Sequence, residues 1–395
     1  MATTYGPTRR TSVAPSRPLA SLHRNPASPF RHLDLVLIGC IAAVNVVGAV
    51  MIFSATRGPT APYNMTFLKK EIMFVVLGGL VMAGVAAIDY RKVRDFGPFV
   101  YGASIFLLLA VLVPGIGSRS KGTQGWFELG PFQLQPSEFA KLGLIIGFAA
   151  LAAQFRGDLD VRRVGALVGV AALPMALVLI QPDLGTTLVS AAVTLALLLV
   201  AGVKPRYLGA IVLVGVLGAT AVLSSGVLKQ YQKDRLSTFI KQDEPASQKR
   251  DANDAYNLDQ SKIAIGSGSL TGKGLFKGPQ TRLGRVPEQH TDFIFTAVGE
   301  QTGFLGSSAL LVLMAIIVWR VWRAAQLARD EFGTLVCTGI MAMFVFQVFE
   351  NVGMTMGIMP ITGIPLPFVS YGGSATITTF IAMGLVINIH MRRFS

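Results

Sequence analysis

Two acids and a histidine crowd into one short stretch, Val286-Pro287-Glu288-Gln289-His290-Thr291-Asp292-Phe293-Ile294-Phe295, at the lip of a long apolar run. Glu, His and Asp are the side chains that most often move protons in catalysis. Asp292 is the last charged residue before the run. Apolar walls make a carboxylate a better proton acceptor, and nearby cations oppose this. Lys262, Lys273, Lys277, Arg282 and Arg285 precede it in the chain. The same position also suits a helix N-cap, where an acid meets free backbone N–H groups and the positive end of the helix dipole. Position alone leaves both readings open.

Three other stretches carry polar groups beside apolar runs, where each costs a few kcal/mol unless paired or wetted. In Gln135-Pro136-Ser137-Glu138-Phe139-Ala140-Lys141, Glu138 and Lys141 are three apart and share a helix face, so they can pair. The alternative is a capping acid beside a lysine that snorkels outward. Asp183, in Gln181-Pro182-Asp183-Leu184-Gly185-Thr186, suits a turn in which it bonds its own backbone. Gly117–Gly130 holds Arg119, Lys121 and Trp126 among small residues. That pattern fits an anionic ligand or a plain interfacial tryptophan anchor. Pro365–Ser374 is rich in Pro and Gly between apolar runs, and Gln347, Glu350 and Asn351 precede it. Irregular backbone at membrane depth is tolerated only where protein or a wet cavity surrounds it.

The elements that must position these residues follow from composition. The chain is 52% hydrophobic and 14% charged, whereas soluble domains carry about 25% charged residues. Many apolar runs approach the roughly 20 residues that cross a bilayer as a helix. Ten spans are expected, near 35–54, 72–88, 98–113, 139–153, 164–180, 187–201, 208–223, 293–319, 333–349 and 374–389. The fold class is therefore an all-α integral membrane protein of ten transmembrane helices, with a large extracellular loop, 224–292, between the seventh and eighth. Residues 33–395 form one polytopic membrane domain. Residues 1–32, rich in Pro, Ser and Arg, read as a disordered basic cytoplasmic tail without the apolar core of a secretory signal.

Orientation follows from the cations. With both termini inside, the inner segments hold 18 Lys and Arg against 5 in the short outer loops, which places both tails in the cytoplasm. The net charge of +14 then reflects inner loops rather than a nucleic-acid partner. The long outer loop starts as a charged linker and ends as a Gly/Lys-rich segment, with a short amphipathic helix over Asn257–Ile265 that stops at Gly266-Ser267-Gly268. Cys40 and Cys337 lie inside apolar runs and form no disulfide framework. His290 and Asp292 do not make a zinc site, which takes three or four protein ligands; His23, His32 and His390 fall on the inner side.

Together, Gln-Pro-Ser-Glu with Lys141, Gln-Pro-Asp-Leu-Gly-Thr, His-Thr-Asp-Phe-Ile-Phe and Pro-Leu-Pro-Phe-Val-Ser-Tyr-Gly-Gly-Ser resemble one family, the shape, elongation, division and sporulation (SEDS) proteins. The resemblance runs from about Asp34 to Arg393. Gln260–Gly268, followed by Gly272-Lys273-Gly274, is similar to the rod-shape branch (RodA) rather than the division branch (FtsW). It implies a peptidoglycan glycosyltransferase of the bacterial cytoplasmic membrane that polymerises lipid II during elongation, beside a class B penicillin-binding protein. It places the essential aspartate at Asp292, on the outer face, and supporting roles at Glu138, Lys141 and Trp126, with Glu288 and His290 beside the aspartate. Arg119, Lys121, Lys262, Lys273, Lys277 and Arg282 become candidate diphosphate contacts. One departure is Gly125, where relatives carry Arg before the tryptophan. No metal-binding residues are expected, and whether a divalent cation such as Mg²⁺ takes part is left open. A lipid II flippase and a non-catalytic scaffold for the transpeptidase are the rival readings.

Overall fold

The computed structural model describes residues 32–58, 60–120, 123–130, 132–155, 159–224, 239 and 252–394. The N-terminal tail up to residue 31 and nearly all of the charged first half of the 224–292 loop lie outside the described residues. In order, the elements are α1 (Leu35–Thr56), α2 (Thr66–Ala87), α3 (Tyr90–Asp95), α4 (Gly97–Leu112), β1 (Ser118–Ser120), β2 (Thr123–Leu129), β3 (Phe132–Leu134), α5 (Pro136–Gln154), α6 (Val161–Ile180), α7 (Leu184–Val200) and α8 (Pro205–Ser224). Then follow α9 (Ala252–Ser267), α10 (Pro279–Arg282), α11 (Ile294–Gln326), α12 (Glu331–Met356) and α13 (Gly373–Met391).

Each of the ten expected spans falls on an apolar helix. Among the described residues, α1, α2, α5, α6, α11, α12 and α13 are long and apolar enough to cross a membrane, while α4, α7 and Pro205–Gly218 of α8 are shorter apolar helices. Aspartates start many of them. Asp34, Asp160, Asp183 and Asp330 each accept a hydrogen bond from the backbone N–H three residues on, and Asp89 from the one two residues on. These bonds satisfy donors that a helix start leaves orphaned.

Helices α5 and α13 are predominantly apolar and buried nearly all round, the mark of a bundle centre. Gly97 and Gly143 bring α4 against α5, and α12 packs on α5, α7 and α11. The periphery is apolar too. Ile72, Val76 and Leu80 on α2, Phe99 and Phe106 on α4, and Leu213, Val214 and Leu217 on α8 are exposed. Soluble proteins rarely expose contiguous apolar area on this scale. A hydrocarbon surround accounts for it, and the chain is a multi-pass membrane protein.

Two features depart from a plain helical bundle. The α4–α5 connection folds into a three-stranded antiparallel sheet in the order β1-β2-β3, with Ser118 opposite Trp126 and Phe127 opposite Leu134. Its β-formers, Thr123, Trp126, Phe127 and Phe132, are interspersed with small and polar residues over runs too short to register beside twenty-residue apolar stretches. The second departure is a break in α11 at Gly303, with φ 64° and ψ −163°. That backbone region is essentially open to glycine alone. Residues 269–274 insert at the break: Lys273 and Gly274 donate their N–H to the Glu300 and Gln301 carbonyls, and Phe304 and Leu305 donate to the Ser269 and Leu270 carbonyls, at 2.9–3.0 Å. The Glu300 carboxylate, fully buried, accepts from the Gln280 and Thr281 N–H groups at 2.7 and 2.8 Å. The second half of the 224–292 loop is thereby fastened into the bundle rather than hanging from it.

Candidate active site

The amphipathic helix expected at Asn257–Ile265 is longer, Ala252–Ser267, and it lies against the start of α11. Fully buried Ser261 bonds the Thr296 hydroxyl at 2.6 Å and donates to the Thr355 carbonyl at 2.8 Å, joining α9, α11 and α12. A small apolar cluster of Leu258, Val286, Phe293 and Ile361 sits beneath. It seals the segment on both sides of Asp292 against α9 and against the segment after α12.

The turn that carries Asp292 is wound on Glu288. Thr291 N–H and Phe293 N–H both donate to the Glu288 carbonyl, at 3.1 and 3.3 Å, and the Thr291 hydroxyl reaches the Glu288 carboxylate at 3.2 Å. Glu288 has φ 54°, uncommon for a residue with a side chain. His290 packs its ring 4.7 Å from Phe67 and 5.8 Å from Tyr371, and its carbonyl accepts the Tyr371 N–H. Burial, with the nearby Glu71 carboxylate, holds the Tyr371 hydroxyl above its ordinary range, so this phenol stays neutral beside the site.

Asp292 differs from the five capping aspartates. Those five hold the N-cap position itself, whereas the N-cap of α11 is Phe293, so Asp292 stands one residue before the cap and two before the first helical residue. It is half-buried. Its backbone carbonyl accepts from Asn351 Nδ2 at 2.8 Å. A Cβ added to Gly363 would lie 3.3 Å from Asp292 Oδ2, so the carboxylate rests against the 362–364 backbone.

The second motif is spent differently from a snorkelling lysine. Lys141 Nζ donates to Glu138 Oε1 at 2.8 Å, with side chains only 2% and 5% exposed. Asp183 caps α7 and also accepts from the Ser137 hydroxyl at 3.4 Å, tying the first turns of α5 and α7 together. Gly185, two residues on, lies against Thr362 and Ile364. The Pro/Gly-rich closing segment joins both sides. Ser370 donates to the Thr291 carbonyl at 2.6 Å, while Ser374 accepts the Gln135 N–H and donates to the Gln133 carbonyl. Leu366, Phe368, Val369 and Ser370 are buried, so this irregular backbone is enclosed by protein. A cavity of about 10 Å³ lies beside it, lined in part by Gln347, Ser370, Thr376 and Thr379, room for a single water.

All four motifs thus meet at one end of the bundle, where α5, α7, α11 and α13 begin and α12 ends. The cations are spread over the covering segment. Lys262 is half-buried on α9, Lys273 and Lys277 are exposed on the stretch beside the α11 break, and Arg282 is exposed at the end of α10. Trp126 is half-buried in β2. A Cβ on neighbouring Gly125 would lie 3.7 Å from Gln181 Oε1, which lays the sheet over the second motif. Arg119 belongs to β1, and its side chain, like all of Lys121, lies outside the described residues. Among the described residues no three His, Cys, Asp or Glu side chains group as a metal cage.

The family model of cell cycle proteins that covers FtsW, RodA and SpoVE matches residues 34–394. The chain belongs to that family. Escherichia coli MrdB, a peptidoglycan glycosyltransferase, is 35% identical over 92% of this SEDS chain and 94% of its own. A chain solved in a peptidoglycan synthase complex, described as coordinating polymerization and crosslinking, superposes with a TM-score of 0.76 at 29% identity, covering 92% of this chain and 99% of that one. The rod shape determining protein RodA of Thermus thermophilus superposes at 0.68 with 28% identity, covering 92% and 98%.

Within this SEDS bundle, sequence reasoning passed over three buried carboxylates. Glu71 on α2, Glu300 on α11 and Glu350 on α12 are 2%, 0% and 0% exposed. The signal was an acid inside or at the edge of an apolar run. Glu300 stood inside an expected span, and Glu350 was read only as added polarity.

Proposed function

We propose that this chain is a peptidoglycan glycosyltransferase that polymerises lipid II into glycan strands during elongation, with Asp292 as the general base. The observation that carries the reading is the convergence of four motifs around an aspartate that stands one residue ahead of the N-cap of the helix it precedes. In the reaction, the Asp292 carboxylate accepts the proton of the acceptor GlcNAc 4-hydroxyl. That oxygen forms a bond to C1 of the donor MurNAc. The C1–O bond to the diphosphate breaks, and its electron pair leaves with the polyprenyl diphosphate. Such a leaving group needs opposite charge more than it needs a proton. The cations of the covering segment, Lys262, Lys273, Lys277 and Arg282, together with Arg119 and Lys121, are placed in the sequence to supply it.

Glu138 and Lys141 act as a buried pair behind the site, where the lysine's charge is held by its partner. Trp126 sits on the sheet above the second motif and offers an aromatic face to a sugar or lipid headgroup. Glu288 and His290 shape the turn that presents Asp292. A Mg²⁺ ion, if used, would be held by the substrate diphosphate with one or two carboxylates, since the described residues supply no cage, and no step above needs it. The enzyme works with a class B penicillin-binding protein, which cross-links the new strand. It resides in the bacterial cytoplasmic membrane, crossing it ten times, with both termini cytoplasmic and the site on the outer face.

The test is polymer formation by the purified full-length chain, with and without its transpeptidase partner, on labelled lipid II. A ladder of glycan products is expected. Leaflet-to-leaflet movement of lipid II in liposomes with no polymer under any condition would instead make the chain a transporter. Polymer that depends only on a catalytic partner would make it a scaffold.

A further inference from the structure

Gly363 has φ 77° and supports Asp292 Oδ2, so whatever fixes Gly363 fixes the surface on which the carboxylate rests. Two consecutive residues at the end of α12 grip its neighbours. Glu350 Oε1 accepts from the Thr362 hydroxyl at 2.9 Å, on one side of the glycine. Asn351 Nδ2 donates to the Ile364 carbonyl at 2.8 Å, on the other side, and to the Asp292 carbonyl at 2.8 Å. From behind, Gly185 of α7 abuts the Thr362 carbonyl and the Ile364 side chain. Residues 362–364 are therefore clamped between α7, α12 and Asp292.

Both gripping residues are fully buried, and neither is spent economically for stability. Among the described residues, Glu350 Oε2 and Asn351 Oδ1 meet no hydrogen-bond partner. A buried carboxylate with a single hydrogen bond is a poor way to hold a bundle together, and apolar residues of similar volume commonly serve as well or better. What the pair supplies is aim. One amide binds the backbone of Asp292 and the backbone beside its resting surface in the same bond set, and the carboxylate fixes the other flank.

We propose that Glu350 and Asn351 are positioning residues for Asp292: by holding Thr362 and Ile364 on either side of Gly363, they set the direction in which the Asp292 carboxylate faces the acceptor hydroxyl. The proposal rests on the reading of Asp292 as the base. It requires of Glu350 only an acceptor oxygen toward Thr362, and of Thr362 only a hydroxyl.

Steady-state polymerisation of labelled lipid II by the full-length protein in liposomes tests it, alongside thermal unfolding of each variant. Glu350→Leu and Thr362→Val are expected to lower kcat by roughly ten- to a hundred-fold, the scale of a misaimed catalytic group, with KM little changed. Glu350→Gln and Thr362→Ser keep the bond and are expected to retain wild-type kcat. Near-wild-type kcat in both Glu350→Leu and Thr362→Val overturns the proposal. So does a loss of kcat that the conservative variants share, or one that tracks a lowered unfolding midpoint. Should Glu350→Leu fail to fold, Thr362→Val, which removes one hydroxyl at constant shape, decides alone. Full activity of Asp292→Asn would instead remove the base on which the proposal stands, a result distinct from any of these.

Discussion

Glu138 and Lys141 show how one residue's chemistry depends on its neighbour. Each is almost wholly buried, and each is tolerable only because the other lies 2.8 Å away. Removing one partner of such a pair strands a charge and costs ~3–5 kcal/mol, whereas replacing both by apolar or neutral groups is often close to neutral. Glu138→Gln and Lys141→Met are therefore each expected to lower the thermal unfolding midpoint of the detergent-solubilised protein. The double variant should recover most of that loss. If the lysine also serves the diphosphate through its charge, the double variant stays poor in polymerisation while folded. A double variant as active as wild type would confine the pair to a structural role. Asp183 is the opposite case, a motif residue whose observed bonds cap α7 and hold Ser137, as a turn aspartate should.

At the scale of elements, the break in α11 is the least helix-like feature and the one that holds the covering segment in place. A Cβ on Gly303 would lie 2.3 Å from the Gly272 nitrogen, and φ 64° with ψ −163° strains any other residue by ~1–3 kcal/mol. Gly303→Ala is expected to expel residues 269–274 from the break. Hydrogen exchange should then speed up at the amides of Lys273, Gly274, Phe304 and Leu305, while α5 and α13 stay protected. Unchanged protection at those four amides would mean that the segment is held by something else. This element also shows what the sequence can and cannot convey. The apolar helices were legible because twenty-residue hydropathy is a strong signal, and the four motifs stood out as polar residues beside apolar runs, Asp183 among them as a turn aspartate, whereas the caps at Asp34, Asp89, Asp160 and Asp330 went unread. The sheet between α4 and α5 and the break at Gly303 were not. Both depend on partners distant in the chain or on one backbone angle. Glu350 and Asn351 were visible as polar residues, but their roles were not, because the groups they hold lie on the turn before α11 and on the segment after α12.

For the whole molecule, the account requires one orientation in the membrane. Cys40 and Cys337 are buried, so they offer a quiet background for introduced thiols. In intact cells, Lys277→Cys is expected to react with a membrane-impermeant maleimide, and Arg162→Cys, exposed at the start of α6, only after permeabilisation. The reverse pattern would turn the site to the cytoplasm and remove the reading of an outer-face polymerase. The same orientation brings the cation-bearing segment 262–282 and the Asp292 turn to the surface that lipid II reaches once its headgroup is outside. The most direct measurement is polymerisation of labelled lipid II by purified Asp292→Asn, compared with wild type at matched folding and matched partner. Loss of glycan polymer by about a hundred-fold or more, as removal of a general base requires, is the predicted result; undiminished polymer from the folded variant would contradict the assignment of Asp292 as the base.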